Sequence, residues 1–243
     1  MMQMKDVLKN IKETIKYKKL LAVLIDPDKM EVNALPQFIE KVNASIATHI
    51  FVGGSTVKDK VTQFFVKELK PLTSLPIVLF PGDVTQISKD ANAILFLSLL
   101  SGDNPEYLIG KHVKAVSKLK EADLEIIPTG YLLIEGGVET AVQRVTQTKP
   151  LPSGNTQQIV DTAKAGELLG MQLIYLEAGS GAKKRVPLEV VKLTKEVLNI
   201  PLIVGGGIRS KKQLEATYNA GADLVVIGTA FEEDEAFFEA LKD

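Results

Sequence analysis

The 243-residue chain is 45% hydrophobic and 24% charged, and its 29 basic and 30 acidic residues leave a net charge of −1. This balance is typical of a globular protein and argues against a general nucleic-acid-binding protein, which usually carries a basic excess. The lack of cysteine excludes disulfides and thiolate catalysis, and two histidines are too few for a multi-histidine metal site. Without a long apolar run or a signal-like first segment, we expect a cytoplasmic protein.

Eight short apolar runs alternate with amphipathic segments along the whole chain. The helices are predicted at residues 4–17, 33–45, 57–72, 105–120, 156–169, 188–198, 210–220 and 233–241. The strands are predicted at residues 20–25, 49–52, 77–80, 93–100, 124–127, 173–176, 202–204 and 224–227. Such uninterrupted apolar strands suit a parallel sheet covered on both faces. The order predicts a single α/β domain over residues 1–243, a TIM (β/α)₈ barrel; a doubly wound open sheet is the structural alternative.

The connection after the third strand is unusually short. Only about a dozen residues separate Phe80 from Ala93, which leaves little room for a crossover helix, so we expect a missing or reduced helix there. The apolar residues 131–134 either extend the fifth strand or form a lip of the active site. An apolar groove along this side of the barrel would suit a long hydrocarbon substrate; alternatively, residues 94–100 and 131–134 are ordinary core strands.

Glycines follow the last two strands. Residues 205–207 are all glycine, and Gly228 is followed by Thr229. In α/β barrels the loops after strands seven and eight commonly form a phosphate site, since glycine lets backbone N–H groups approach the phosphate closely. We interpret these loops as a phosphate site, the alternative being simple tight turns. Arg209 either pairs with the phosphate or begins the next helix in solvent.

Acidic and hydroxyl side chains stand at the predicted carboxyl ends of other strands. Asp26 ends strand one, where a carboxylate can hold Mg²⁺ together with water and substrate phosphate oxygens, and Ser55 ends the neighbouring strand. Glu177 ends strand six and is placed as a general base toward a substrate hydroxyl, or else caps the next helix. Tyr175 shares its face by strand alternation. Asp28, His49 and His112 are interpreted as structural, with His112 away from the catalytic end.

Six motifs resemble the geranylgeranylglyceryl phosphate synthase family, which includes heptaprenylglyceryl phosphate synthases. They are LIDPDK (residues 24–29), GGST (53–56), PTGY (128–131), YLEAGSGA (175–182), VGGGIRS (204–210) and GTAFEED (228–234). YLEAGSGA is the most specific of them. The resemblance spans about residues 20–239 and implies a modified barrel that lacks the helix after strand three.

The resemblance also implies the reaction and the site. A prenyl group, which we expect to be geranylgeranyl, passes from prenyl diphosphate to the C3 hydroxyl of sn-glycerol 1-phosphate, forming an ether lipid precursor and diphosphate. Asp26 and Ser55 correspond to the Mg²⁺ positions, and Glu177 corresponds to the base. The implied substrate-binding residues are Tyr175, Leu176, Glu177, Ala178, Gly179, Ser180, Gly181, Gly206, Gly207, Gly228 and Thr229.

Two other classes of function remain open from the sequence. One is a sugar-phosphate enzyme of the isomerase class, which shares the phosphate loops but needs no apolar groove. The other is a non-catalytic phosphate-binding barrel, which needs neither Asp26 nor Glu177. The family resemblance favours a homo-oligomer, and the lipophilic substrate and product suggest peripheral membrane contact without a membrane anchor.

Overall fold

The computed structural model describes residues 6–233 and 235–242. Eight parallel strands form a closed barrel in sequential order, with β8 returning to pair with β1. The strands are β1 (Leu20–Ile25), β2 (His49–Val52), β3 (Ile77–Leu79), β4 (Ala93–Leu99), β5 (Glu125–Leu133), β6 (Leu173–Glu177), β7 (Leu202–Gly205) and β8 (Leu224–Ile227). The predicted TIM barrel is confirmed.

Helices surround this barrel. They are α1 (Val7–Thr14), α2 (Leu35–Asn43), α3 (Val61–Leu69), α4 (Lys111–Glu121), α5 (Ala141–Thr146), α6 (Thr156–Leu168), α7 (Leu188–Val197), α8 (Lys211–Asn219), α9 (Thr229–Glu233) and α10 (Glu235–Ala240). A π-helical turn, Glu106–Gly110, leads directly into α4, and 3₁₀ turns cover Val32–Ala34 and Lys70–Leu72. No helix of the described residues is long and apolar enough to cross a bilayer.

Several predicted boundaries differ from the observed ones. The helix predicted over 57–72 begins only at Val61, because Lys60 adopts a left-handed conformation (φ 67°) that a helix interior does not allow. The closing helix predicted over 233–241 corresponds to α10, and a further short helix, α9, begins at Thr229. Residues 4 and 5 of the first predicted helix, and Asp234 in the last quoted motif, lie outside the described residues.

The structure shows the conformation of the short connection after β3 and of the apolar segment at the end of β5. Residues 80–92 contain turns and no helix, as the short connection predicts. Residues 131–133 extend β5, in register with β6, so that Tyr131 lies opposite Tyr175 and Leu133 opposite Glu177. Of the two alternatives for this segment, the strand extension is therefore correct, and it brings Tyr131 to the carboxyl end of the barrel.

Helix α1 packs at the opposite, amino-terminal end of the barrel. Its Val7 and Ile11 join the core inside the strands, together with Leu20 and Leu173. The backbone N–H groups of Val7 and Leu8 donate to the carboxylate of Glu125 at the start of β5. Two otherwise unpaired donors at the start of the helix are thereby satisfied, which fixes α1 against the barrel.

Candidate active site

A cavity of about 330 Å³ opens at the carboxyl ends of the strands. One part of it is polar and is bounded by the loops after β1, β2, β6, β7 and β8. The other part is apolar and extends sideways, between the 80–92 connection, β4, α4 and α5. Active sites of TIM barrels lie at this end of the strands, so the cavity is the candidate active site.

Glu177 occupies the boundary between the two parts. Its side chain is only 6% exposed, and one carboxylate oxygen accepts a hydrogen bond of 2.6 Å from the Gly179 N–H. Burial raises the pKa of Glu177 to about 6, although the Tyr175 hydroxyl beside it and the Gly179 N–H both act to lower the pKa. A carboxylate whose pKa lies near the working pH can take a proton from a hydroxyl and release it again.

Three aromatic rings stand beside this carboxylate. Tyr175 stacks on Phe80 with ring centroids 5.3 Å apart, and Tyr131 contacts both rings at 5.4 and 5.9 Å. The Tyr175 hydroxyl is buried and makes no hydrogen bond within the described structure. Burial raises the pKa of both tyrosines well above the usual value, so they stay neutral. The predicted placement of Tyr175 and Glu177 on one face is confirmed, whereas the contribution of Phe80 was not predicted.

The glycine loops surround Glu177 closely. Gly206 has φ 81°, and a Cβ atom there would lie 2.4 Å from Glu177 Oε1 and 2.8 Å from the Gly179 nitrogen. Gly179 and Gly207 also have positive φ. Ser180, Gly181, Gly228 and Thr229 line the same part of the cavity, and α9 begins at Thr229. This arrangement of amides, with a short helix after β8, suits a phosphate group.

Asp26 and Ser55 are brought to the same rim. A Cβ atom on Gly54 would meet the Asp26 carboxylate at 2.8 Å, so the carboxylate lies directly against the loop that carries Ser55. The buried side chain of Gln86 holds this loop, because its amide group donates to Gly54 O at 2.8 Å and accepts from Gly82 N at 3.2 Å. No sequence pattern indicates this role of Gln86.

The donor set at Asp26 fits a Mg²⁺ ion that is held mainly by substrate. Mg²⁺ commonly takes one or two carboxylates and completes its shell with water and phosphate oxygens. Asp26 supplies one carboxylate, with the Ser55 hydroxyl on the adjacent loop. The Lys29 ammonium lies 3.8 Å from Asp26 Oδ2 and places a positive charge at this rim. The described residues contain no cluster of three or more metal-binding side chains.

The sideways part of the cavity is mostly hydrocarbon. Its lining includes Val84 and Ile87 from the connection that lacks a helix, Phe96 from β4, Ala115 from α4 and Val142 from α5. At its mouth the Lys111 ammonium pairs with Asp83 and lies 4.8 Å from the centre of the Tyr107 ring. An elongated apolar chain fits such a groove, and a small sugar phosphate does not require it.

His112 is placed differently from its prediction. It lies in the first turn of α4 and lines the cavity, so the expectation that it is remote from the catalytic end is wrong. Its ring packs edge-on against Phe96 at 4.3 Å, and its Nε2 atom lies 3.3 Å from Ser98 Oγ. Burial lowers the pKa of His112, so the ring is neutral and forms part of the groove wall. The position was missed because His112 reaches the cavity through contacts with Phe96 and Ser98 of β4, which no local pattern indicates. His49 is buried at the start of β2, as expected of a structural residue.

Comparison with known proteins agrees with this geometry. The sequence matches the PcrB family over residues 12–243. The chain belongs to the PcrB family. It is 56% identical to the geranylgeranylglyceryl phosphate synthase of Flavobacterium johnsoniae over 91% of both chains. It is 57% identical to the synthase of the same name from Zunongwangia profunda, over 90% of this chain and 93% of that protein.

The chain is also similar in structure to a synthase of the same name that was solved by crystallography. The (S)-3-O-geranylgeranylglyceryl phosphate synthase of Thermoplasma acidophilum, solved in complex with sn-glycerol-1-phosphate, superposes with a TM-score of 0.91. It is 35% identical and covers 99% of this chain and 96% of its own. The shared architecture of this PcrB family member therefore extends over the whole described barrel.

Not every residue suggested by the sequence faces the cavity of this PcrB family member. The side chains of Leu176 and Ala178 are fully buried in the layer between strands and helices, because they alternate with Tyr175 and Glu177 along β6. The Ala178 N–H donates to Gly205 O within the sheet. Asp28 accepts from the Lys58 N–H, as a structural residue does. Arg209 lines the cavity rim, where its own N–H donates to Gln213.

Proposed function

We propose that the chain transfers a prenyl group from prenyl diphosphate to the C3 hydroxyl of sn-glycerol 1-phosphate, forming an ether and releasing diphosphate. The observation that carries this proposal is the position of Glu177, a buried base between a glycine-lined polar pocket and an apolar groove. One substrate is a small polar phosphate and the other is a long hydrocarbon. The two halves of the cavity match these two chemistries.

The glycine loops bind and orient the glycerol phosphate. Backbone N–H groups around Gly206 and Gly228, with the Thr229 hydroxyl, bind the phosphate oxygens, which fixes the distance from the phosphate to the reacting hydroxyl. Ionised Glu177 accepts the proton of the C3 hydroxyl as the oxygen attacks C1 of the prenyl donor. The C1–O bond to diphosphate breaks with its electron pair, and the new C–O ether bond forms. Tyr131, Tyr175 and Phe80 exclude water from this step.

We further propose that Asp26, with Ser55, holds Mg²⁺ on the diphosphate. When bound, the ion neutralises charge on the leaving diphosphate and so favours cleavage of the allylic C–O bond. Asp26 lies at the same rim as Lys29, so both can contact this end of the donor. Removal of divalent ions with EDTA should abolish turnover, Mg²⁺ should restore it, and Asp26→Asn should raise the Mg²⁺ concentration needed for half-maximal rate. Full activity in EDTA would contradict this part of the proposal.

The test of the reaction uses radiolabelled sn-glycerol 1-phosphate, Mg²⁺ and prenyl diphosphates of increasing length. A labelled product that partitions into butanol is expected, with the highest rate for the geranylgeranyl donor. The enantiomer sn-glycerol 3-phosphate serves as the matched control for orientation by the phosphate loops. Absence of a butanol-soluble product with every donor, despite binding of glycerol phosphate, would overturn the prenyltransferase assignment in favour of another phosphate-handling activity.

A further inference from the structure

The loop after β2 is packed between its two neighbouring loops with no space for a side chain. A Cβ atom on Gly54 would lie 2.8 Å from the Asp26 carboxylate. On the other side, a Cβ atom on Gly82 would lie 2.6 Å from Gly54 O and 2.9 Å from Ser55 Cα. The loops after β1, β2 and β3 therefore form one closely packed unit at the rim that carries Asp26 and Ser55.

Gln86 joins two of these loops from behind the cavity wall. Its side chain is only 1% exposed, whereas Gly54 and Gly82 both line the cavity. Its Nε2 atom donates to Gly54 O at 2.8 Å, and its Oε1 atom accepts from Gly82 N at 3.2 Å and from Gly54 N at 3.4 Å. One side chain thus holds both backbone polar groups of Gly54, including the peptide unit that leads into Ser55.

The segment that contains Gln86 is also part of the groove wall. Val84 and Ile87, on either side of Gln86, line the apolar part of the cavity. At the groove mouth the Lys111 ammonium of α4 pairs with Asp83 of the same segment. This helix-free segment is therefore bound to α4 on one side and to the β2 loop on the other, so it contacts both parts of the cavity.

We propose that Gln86 is a positioning residue for the diphosphate end of the prenyl donor. By holding the peptide unit before Ser55, it keeps the Ser55 hydroxyl beside the Asp26 carboxylate, where the two can bind one Mg²⁺–diphosphate group. The donor's hydrocarbon tail lies against the same segment, so Gln86 also fixes the tail relative to the diphosphate. This inference rests on the proposed Mg²⁺–diphosphate site for its ligand.

A buried amide can also serve the fold alone, and Asn92 provides the comparison. It lies at the other end of the same connection, where its Oδ1 atom accepts from Ile77 N at 2.9 Å, at the start of β3 and away from the cavity. Gln86→Leu and Asn92→Leu each leave backbone groups without a side-chain partner, so both should lower stability. Only Gln86→Leu should change ligand binding at the rim.

The test is calorimetric titration of the full chain with inorganic pyrophosphate in the presence of Mg²⁺. Saturating sn-glycerol 1-phosphate keeps the pyrophosphate out of the glycine-lined pocket, and its own affinity is measured separately. Gln86→Leu should raise the Kd for pyrophosphate by about 10–100-fold, the usual effect of removing a group that orients metal ligands, and leave the Kd for sn-glycerol 1-phosphate unchanged. Asn92→Leu should leave both values unchanged.

Gly82→Ala disturbs the same loops without changing the Gln86 side chain. The new Cβ would lie 2.6 Å from Gly54 O, so the loop that carries Ser55 must move. We expect the same selective loss of pyrophosphate affinity. The control is Gly154→Ala, whose Cβ would meet no atom within 4 Å and should change neither affinity. If Gln86→Leu does not fold, the comparison of these two variants decides.

The outcomes separate this inference from the proposed reaction. Pyrophosphate affinity equal to that of the wild type in Gln86→Leu and Gly82→Ala would overturn the inference. So would equal losses for both ligands in Gln86→Leu and Asn92→Leu, because the amide would then serve the fold alone. A wild type that does not bind pyrophosphate with Mg²⁺ would overturn the inference together with the proposed Mg²⁺ site. Absence of transferase product, with the selective loss observed, would count against the proposed reaction only.

Discussion

The two ends of the barrel use polar groups in opposite ways. At the amino-terminal end, Asp223 pairs with Lys195 at 2.6 Å and accepts the Leu202 N–H at 2.9 Å, while Glu125 accepts two N–H groups of α1. At the carboxyl end, Glu177 is buried with a raised pKa, and the Tyr175 hydroxyl has no acceptor. The amino-terminal end pairs its buried charged groups and so stabilises the fold, whereas the carboxyl end keeps buried polar groups available for a ligand.

The backbone at the carboxyl end is also arranged around the cavity. Four glycines with positive φ, at 179, 181, 206 and 207, lie in the loops after β6 and β7 at the carboxyl end. Such conformations cost stability for any other residue, and they let amides converge on one point. Substitutions at the carboxyl end should therefore impair activity more than stability, and those at the amino-terminal end should do the reverse.

The largest expected effect is that of Glu177→Gln. The amide cannot take a proton from the C3 hydroxyl, so turnover should fall by about 10²–10⁴-fold, the usual contribution of a general base. The melting temperature should not fall, because the variant removes a charge that burial disfavours. Steady-state kinetics measure the loss of turnover, and thermal unfolding measures the melting temperature. Substantial turnover by the variant would show that another group accepts the proton.

Next in size is Gly206→Ala. The new Cβ would lie 2.4 Å from Glu177 Oε1, so the base or the phosphate loop must move, and kcat/KM should fall on the order of 10²-fold. The control is Gly170→Ala, at φ 98° with no atom within 4 Å of the new Cβ. That variant carries the backbone strain alone, about 1 kcal/mol, and should keep full activity. Equal losses in both variants would contradict a specific role for the Gly206 loop.

The pH dependence is the third prediction. Since the base form of Glu177 is required, kcat/KM should fall about tenfold per pH unit below its pKa of about 6. Stability should change in the opposite direction. Because burial raises the folded-state pKa above the usual 4.5, the free energy of unfolding should decrease by about 2 kcal/mol as pH rises from about 4.5 to about 6. Glu177→Gln should lack this decrease when unfolding is followed across the same pH range.

The smallest effect is expected at the amino-terminal end. Asp223→Ala leaves the buried Leu202 N–H without its acceptor and should lower the free energy of unfolding by about 1–3 kcal/mol, with kcat and KM unchanged. Glu239→Ala removes an ion pair with Lys242 of the same length, 2.6 Å, but in solvent, and should change stability little. Denaturant unfolding of both variants makes the comparison. A loss of activity in Asp223→Ala would show that the two ends are coupled.

The sequence was sufficient wherever a local pattern determined the structure. Uninterrupted apolar runs marked all eight strands, and alternation along β6 placed Tyr175 and Glu177 on one face. The short spacing between Phe80 and Ala93 predicted the absent helix. Glycines after β7 and β8 predicted loops that meet at the cavity, because a barrel brings the carboxyl ends of all its strands together.

The remaining features depend on contacts between distant segments. Gln86 holds the Gly54 loop across 32 positions, and Glu125 holds α1 across more than a hundred. No local pattern indicates such partners. The place of His112 in the groove depends on its contacts with Phe96 and Ser98 of β4. The left-handed Lys60, after which α3 begins, has no sequence signal comparable to glycine.

The helix-free connection also affects how the barrel is held closed. Strands β3 and β4 pair only through Val78 with Ala93 and Leu79 with Ile94, whereas β4 pairs with β5 along its full length. The shortest hydrogen-bonded ladder thus lies beside the one crossover that has no helix. Amide hydrogen exchange should be faster along this ladder than along the β4–β5 ladder, because only two residue pairs join the strands and their connection contains no helix. We therefore expect the barrel to open first at this ladder, which lies across the barrel from the glycine loops after β7 and β8.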